Sequence, residues 1–245
     1  MKNPILSVHI YKTGGTTFRN LLATLPGATV HFDYGDMPLA PARPLRMLGT
    51  VYRTTKTFLK VHGAVRGHDD RRVFIHGHFV ATKYNRIFPS AALVTWLRDP
   101  VERVVSHYHF WHRHPNMKHP ICKRLIAERL SLAEFAEIEG MRNVHSRLLG
   151  GANLASFDFV GITEDYDRSV ALFLKIFAPG GEAPPVAPVN QYPERGGGRY
   201  DMDEEVRGRI AACNELDIAL YEVGQRRFEE LCEVYGCRRA TPWLR

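Results

Sequence analysis

The sequence predicts an α/β fold, a single domain with a central parallel sheet flanked by helices. Two observations predict it. Short apolar runs alternate with segments of helical periodicity along the 245 residues. Several of the apolar runs also end in groups that carry chemistry: Lys12-Thr-Gly-Gly-Thr-Thr17 after the first, His76-Gly77-His78 after a later one, and Arg98-Asp99-Pro100 after the clearest. Parallel sheets are covered on both faces and bind ligands beyond the carboxyl ends of their strands, so these three groups are expected at one site.

The elements follow in order. Ile5 to Tyr11 reads as a buried strand, and Thr16 to Leu25 as a helix with Phe18, Leu21, Leu22 and Leu25 on one face. Ala28 to Phe32 reads as a second strand. A proline-rich connection, Pro38 to Pro44, leads into a helix over Arg46 to Val61. Val73 to Ile75 is a short strand, and Ala91 to Leu97 the clearest buried one. Asp99 then supplies an N-cap, Pro100 the first helical position and Glu102 the third, starting a helix that reaches Trp111. Val101, Val104, Val105, Tyr108, Trp111 and His112 form its core face. Phe157 to Ile162 reads as a strand and Asp167 to Phe177 as a helix. Ala178 to Arg199 is rich in proline and glycine, a long loop that is either a flap or disordered. Asp203 to Tyr235 reads as helical throughout.

The formal charge of +7 and pI of about 9.3 favour an anionic partner: a nucleotide, a nucleic acid, an acidic polymer or a membrane surface. The four cysteines, Cys122, Cys213, Cys232 and Cys237, contain no CxxC pair and read as reduced thiols, with a Cys232–Cys237 bridge the alternative. The N-terminus runs directly into a strand, and no apolar run approaches the ~20 residues of a membrane span. A soluble cytoplasmic protein is expected, of unassigned oligomeric state.

The first turn has the parts of an anion site. Glycines permit a tight turn and close approach of N–H groups, and the helix start adds unpaired donors and a positive dipole end. An ordinary strand-to-helix hinge would use the same glycines. An ATP-binding loop, GxxxxGKS or GxxxxGKT, places its lysine after the glycines, whereas Lys12 precedes them. No GKS or GKT occurs, and the best strand-end aspartate for magnesium, Asp99, is committed as a cap.

HIYKTGGTTF, His9 to Phe18, resembles the 5′-phosphosulfate loop of sulfotransferases that use 3′-phosphoadenosine 5′-phosphosulfate (PAPS), especially the carbohydrate type. It departs from that pattern at Tyr11, where proline is usual, and at Thr17, where serine is common. LRDPVERVVSHY, Leu97 to Tyr108, is similar to the same family's 3′-phosphate motif, and about 85 residues separate the two. FVGITEDYDRSVALF, Phe159 to Phe173, is similar to a further segment, so the resemblance covers most of the chain.

The resemblance implies a P-loop-NTPase-like domain and sulfuryl transfer from PAPS to a hydroxyl, with no metal and no nucleic acid. Lys12 would serve the bridging oxygen, beside Gly14, Gly15, Thr16, Thr17 and Phe18 at the 5′-phosphate. Arg98 and Ser106 would hold the 3′-phosphate; the bland alternative pairs Arg98 with Asp99 or Glu102. His76-Gly77-His78 resembles the corresponding segment of heparan and uronyl 2-O-sulfotransferases, which implies a carbohydrate acceptor, His78 as base and His76 as its assistant or an acceptor contact. His9 is the runner-up base, and an isolated histidine pair satisfied by backbone is the ordinary alternative. Five histidines between His107 and His119 do not share one helical face, so they suit a basic or pH-sensitive surface better than a metal. Arg195 to Arg199 matches an arginine- and glycine-containing flap only loosely and stays outside the site. The competing classes are an ATP-type kinase and a non-catalytic module that binds acidic polymer.

Overall fold

The computed structural model describes residues 3–34, 72–179 and 199–237, with Leu39, Thr55, Lys56 and Leu59 between the first two stretches. Of the expected Arg46–Val61 helix only Thr55, Lys56 and Leu59 are described, all three helical, and nearly all of the Ala178–Arg199 loop lies outside the described residues.

Five strands form one parallel sheet: β1 (Ile5–Val8), β2 (Ala28–Asp33), β3 (Arg72–Gly77), β4 (Ala92–Leu97) and β5 (Phe159–Ile162), in spatial order β2-β3-β1-β4-β5. The chain leaves central β1 for the edge strand β2, returns inward to β3 beside β1, then crosses to β4 on the other side, so the connections leaving β1 and β3 run in opposite directions. That reversal opens a crevice beyond the carboxyl ends of β1, β3 and β4. The register brings those ends level, because Val8 lies opposite both Gly77 and Thr95. The His9 N–H then donates to the Gly77 carbonyl at 2.8 Å, which sets His9 beside His78.

Helix α1 (Gly15–Thr24) starts from Gly14, whose φ of 83° is a left-handed turn that suits glycine. Its Phe18, Leu21 and Leu22 enter the sheet's core, as their spacing predicts. Helix α2 (Pro100–Arg113) starts from Asp99, whose Oδ1 accepts from the Val101 and Glu102 N–H groups at 2.9 and 3.0 Å. The apolar face of α2 packs into a second cluster, with Ile121 and Leu125 of α3 (Pro120–Ala127), Phe135 of α4 (Leu132–Glu137) and Ile210 of α7 (Glu204–Ala212). His112, expected on that face, is exposed. The remaining helices are α5 (Val144–Leu149), α6 (Tyr166–Phe177) and α8 (Glu215–Val234). Where one helical stretch was expected over Asp203 to Tyr235, α7 and α8 meet at Cys213-Asn214. There Asn214 Oδ1 accepts from the Asn143 N–H at 3.0 Å, a tertiary contact that local sequence cannot announce. All four cysteines are free thiols, so the Cys232–Cys237 alternative falls. No described helix is long and apolar enough to cross a membrane.

Asp217 of α8 binds the start of α5. Its Oδ2 accepts from His145 N and its Oδ1 from Ser146 N, both at 2.8 Å, and Oδ1 also accepts the Ser146 hydroxyl at 2.7 Å. A carboxylate from another helix thus satisfies first-turn donors that α5 does not cap with its own side chain. Because Asp217 is fully buried, its removal leaves three donors without their acceptor. Asp217→Ala is expected to lower unfolding stability by about 3 kcal/mol or more, checked by urea denaturation with an unchanged slope.

Candidate active site

The crevice is built from the turn after β1, the residues beyond β3 and β4, and the inner face of α2. Lys12 has a φ of 68°, a left-handed conformation that is strained for a side-chain-bearing residue. Its ammonium lies 3.8 Å from the centroid of the Phe110 ring. Burial first, then the Arg98 and Arg113 guanidiniums, brings the Lys12 pKa down to about 7. The surroundings of Lys12 therefore disfavour its charged form.

The first turn of α1 begins three residues after this lysine, at Gly15. Helix geometry leaves the N–H groups ahead of the first intrahelical bond aimed into the crevice, and that bond is Phe18 N to the Gly14 carbonyl at 3.1 Å. Phe18, expected among the anion-binding residues, therefore has its N–H committed within the helix and its ring in the core. Gly15 is constrained differently from the expectation. A Cβ there would stand 1.8 Å from His9 Nε2, so its missing side chain makes room for the imidazole. Thr16 is exposed and Thr17 buried.

Arg98 is buried at the end of β4, and its Nη1 donates to the Lys12 carbonyl at 3.1 Å. Its Nε lies 3.9 Å from Glu164 Oε1, rather than on the expected alternatives, Asp99 or Glu102. Glu164 also accepts from Asp99 N at 3.1 Å and from the Tyr221 hydroxyl at 2.8 Å. The Tyr200 ring stands 5.9 Å from the guanidinium. Ser106 is 2% exposed. It shares a face of α2 with Glu102 and Phe110, one turn before and after it, where Glu102 binds the Tyr200 N–H at 3.0 Å and Phe110 meets Lys12. Glu102 and Ser106 make part of this second face of α2 polar, which is why it fell outside the apolar pattern.

The three histidines of interest sit together. His78 Nδ1 lies 2.5 Å from the His9 carbonyl, which can only accept. The proton is therefore on Nδ1, and Nε2 carries the free lone pair. The His78 ring stacks on Tyr11 at 3.8 Å and tilts against His9 at 4.4 Å. His76 is 1% exposed, stacked beneath His9 at 5.0 Å, with Nδ1 paired to Ser7 Oγ at 2.9 Å. That place beneath His9 suits the expected assisting role of His76 rather than the acceptor contact. Burial pushes His76 to about 3 and His78 to about 4, the latter opposed by its bond to the His9 carbonyl. Both are neutral at physiological pH. His107, from the histidine-rich stretch, is buried on α2 rather than on a basic surface.

Sequence reasoning missed Phe110, Thr163, Glu164 and Tyr200. Thr163 and Glu164 had a usable signal, since they follow directly on a buried strand. Among the described residues no group of three histidines, cysteines or acidic residues could hold a metal ion.

No model of a known protein family and no curated protein sequence matches the chain. Among solved structures, the chain is similar to a sulfotransferase from Alicyclobacillus acidocaldarius, with a TM-score of 0.53 at 18% identity, over 98% of this chain and 100% of that one. At that identity the likeness establishes a shared fold: the α/β architecture with a parallel sheet flanked by helices, as the sequence predicts.

The buried imidazoles make stability sensitive to acid. A histidine whose folded pKa lies below the unfolded value of about 6.5 takes up a proton on unfolding, so stability falls as pH drops below 6.5. His76, at about 3, and His145, at about 4, are both fully or almost fully buried. Together they are expected to remove on the order of 4 kcal/mol between pH 7 and pH 5. Urea titrations at the two pH values check this, with the midpoint falling steeply at pH 5.

Proposed function

We propose that the protein is a sulfotransferase that moves a sulfuryl group from PAPS to an acceptor hydroxyl by in-line displacement, acting as one catalytic domain. The observation that carries this reading is the Arg98–Lys12 bond at 3.1 Å, which joins the two motifs assigned to the two phosphates in a single crevice. The shared fold with a bacterial sulfotransferase supports it.

The chemistry follows from where charge moves. As sulfur is attacked, the bond from sulfur to the 5′-phosphate oxygen breaks and its electron pair stays on that oxygen. Lys12 and the first-turn N–H groups around Gly14, Gly15, Thr16 and Thr17 face that developing charge, in a site with little water to screen it. The acceptor's proton goes to His78 Nε2, and the O–H pair becomes the new O–S bond. Arg98 and Ser106 grip the 3′-phosphate and so select this donor over ATP. His76 supports His9, and His9 supports His78. A carbohydrate acceptor is favoured by the resemblance around His76-Gly77-His78 and by the basic charge of the chain.

Adenosine 3′,5′-bisphosphate is expected to bind without metal and more tightly than ATP, measured by calorimetry with and without Mg²⁺; preference for Mg-ATP would sink the reading. Because Lys12 has a pKa of about 7, it is mostly neutral in the free protein at pH 8 and becomes charged against the phosphate. Binding at pH 8 should therefore take up close to one proton, seen as a dependence of the heat on buffer ionisation enthalpy. Lys12→Met should remove that uptake.

His78→Ala is expected to lower kcat about 10²–10⁴-fold while leaving bisphosphate affinity within about threefold. Near-full activity on the true acceptor would reassign the base. Transfer of labelled sulfate to a panel of glycans and small alcohols tests the acceptor class.

A further inference from the structure

Tyr11 stands where the resembling loops usually have proline, and its surroundings suggest what the change supplies. Its ring stacks on His78 with centroids 3.8 Å apart and planes 22° from parallel. On its other side His107 of α2 stacks at 5.8 Å and 19°, and His107 packs in turn on Trp111 at 4.1 Å. His9 closes the far side of His78 at 4.4 Å. His78 is thus one ring in a column running from the β3 end to α2, clamped between His9 and Tyr11.

We propose that Tyr11 is a positioning residue for His78: its ring face fixes the imidazole with Nε2 toward the acceptor and stabilises the imidazolium formed when that nitrogen takes the proton. The inference rests on the sulfotransferase reading for its catalytic consequence, and on the stack alone for its electrostatic one.

The physical argument is one of geometry and charge. The bond from Nδ1 to the His9 carbonyl fixes one edge of the imidazole but leaves it free to rock about that bond. A flat ring at stacking distance removes this freedom. The phenol face is also electron-rich, so it attracts a cation more than a neutral ring. Among the described residues the other groups facing His78 supply no negative charge. They are His9 just beyond β1, His76 on β3, Tyr34 beyond β2 at 4.9 Å and His107 on α2. Among these groups Tyr11, with the His9 carbonyl, is placed to favour the protonated form.

The sign of one measurement separates positioning from simple shielding. If Tyr11 only keeps water away, its loss relieves desolvation and the His78 pKa rises. If it stabilises the imidazolium, the pKa falls. The His78 pKa would be read by NMR titration of isotopically labelled protein for the parent, Tyr11→Phe and Tyr11→Leu, with Tyr11→Met replacing the leucine variant if that one does not fold. The expected order is Tyr above Phe above the aliphatic variant, spanning about half to one unit. In transfer assays the acid limb of kcat against pH should move the same way, and kcat should drop about three- to tenfold in the aliphatic variant. Phenylalanine should recover most of that loss, and bisphosphate affinity should hold. An unchanged or raised His78 pKa in the aliphatic variant overturns the proposal. The titration needs neither donor nor acceptor. A lowered pKa in a protein without sulfuryl transfer would therefore count against the function while upholding the stack.

Discussion

The turn between β1 and α1 keeps its shape because its neighbours hold its carbonyl groups. Arg98 donates to the Lys12 carbonyl, and the Thr163 hydroxyl is shared between the Thr13 and Leu97 carbonyls at 3.0 and 2.8 Å. The Thr13 hydroxyl reaches back to Ile10 at 3.0 Å. A turn with a strained lysine and a left-handed glycine is thereby pinned from the ends of β4 and β5, two strands formed much later in the chain. Everything in the crevice depends on this: Lys12 points at Phe110, and the first turn of α1 points outward, only while those carbonyls are occupied.

The electrostatics follow from the same crowding. Arg98 and Arg113 are close enough to Lys12 to add to the effect of burial on its charge, and the carboxylate nearest Arg98, Glu164, is shared with Asp99 and Tyr221. Burial also raises the Glu164 pKa, so it is an imperfect counter-ion. A dianionic ligand would relieve the repulsion and recharge the lysine in one step. The imidazoles opposite have already given up their charge to burial. One wall of the crevice thus waits for negative charge and the other for a proton, a division of labour set by desolvation on both sides.

Much of this was legible in the sequence, for identifiable reasons. Buried parallel strands announce themselves as continuous apolar runs, so β1, β4 and β5 were readable within about three residues, and the Asp99-Pro100 start of α2 carried its own local chemistry. The groups at the strand ends, Lys12, His78 and Arg98, were legible because topology makes strand ends converge. Helices α3, α4 and α5 were not found, although His119-Pro120 and the Ser131–Glu134 capping box mark two of them; they are too short for periodicity to register. The break at Asn214, the packing of His9 on Gly15 and the Glu164 contact were hidden, since each pairs residues far apart or depends on packing in three dimensions. On the inner face of α2 the resemblance pointed to Ser106, but the places of Glu102 and Phe110 were missed, because a helix face outside the apolar pattern reads as solvent-facing until another element covers it.

The left-handed backbone at Lys12 carries a consequence of a different kind. A lysine at φ 68° costs on the order of 1 kcal/mol that a glycine would not, so replacement by glycine is the substitution that folding alone would reward. Chain stability and the placement of this ammonium pull in opposite directions at one position. A search for hardier variants that scored only heat resistance would drift toward glycine there, and would discard the one ammonium that the turn itself contributes to the crevice.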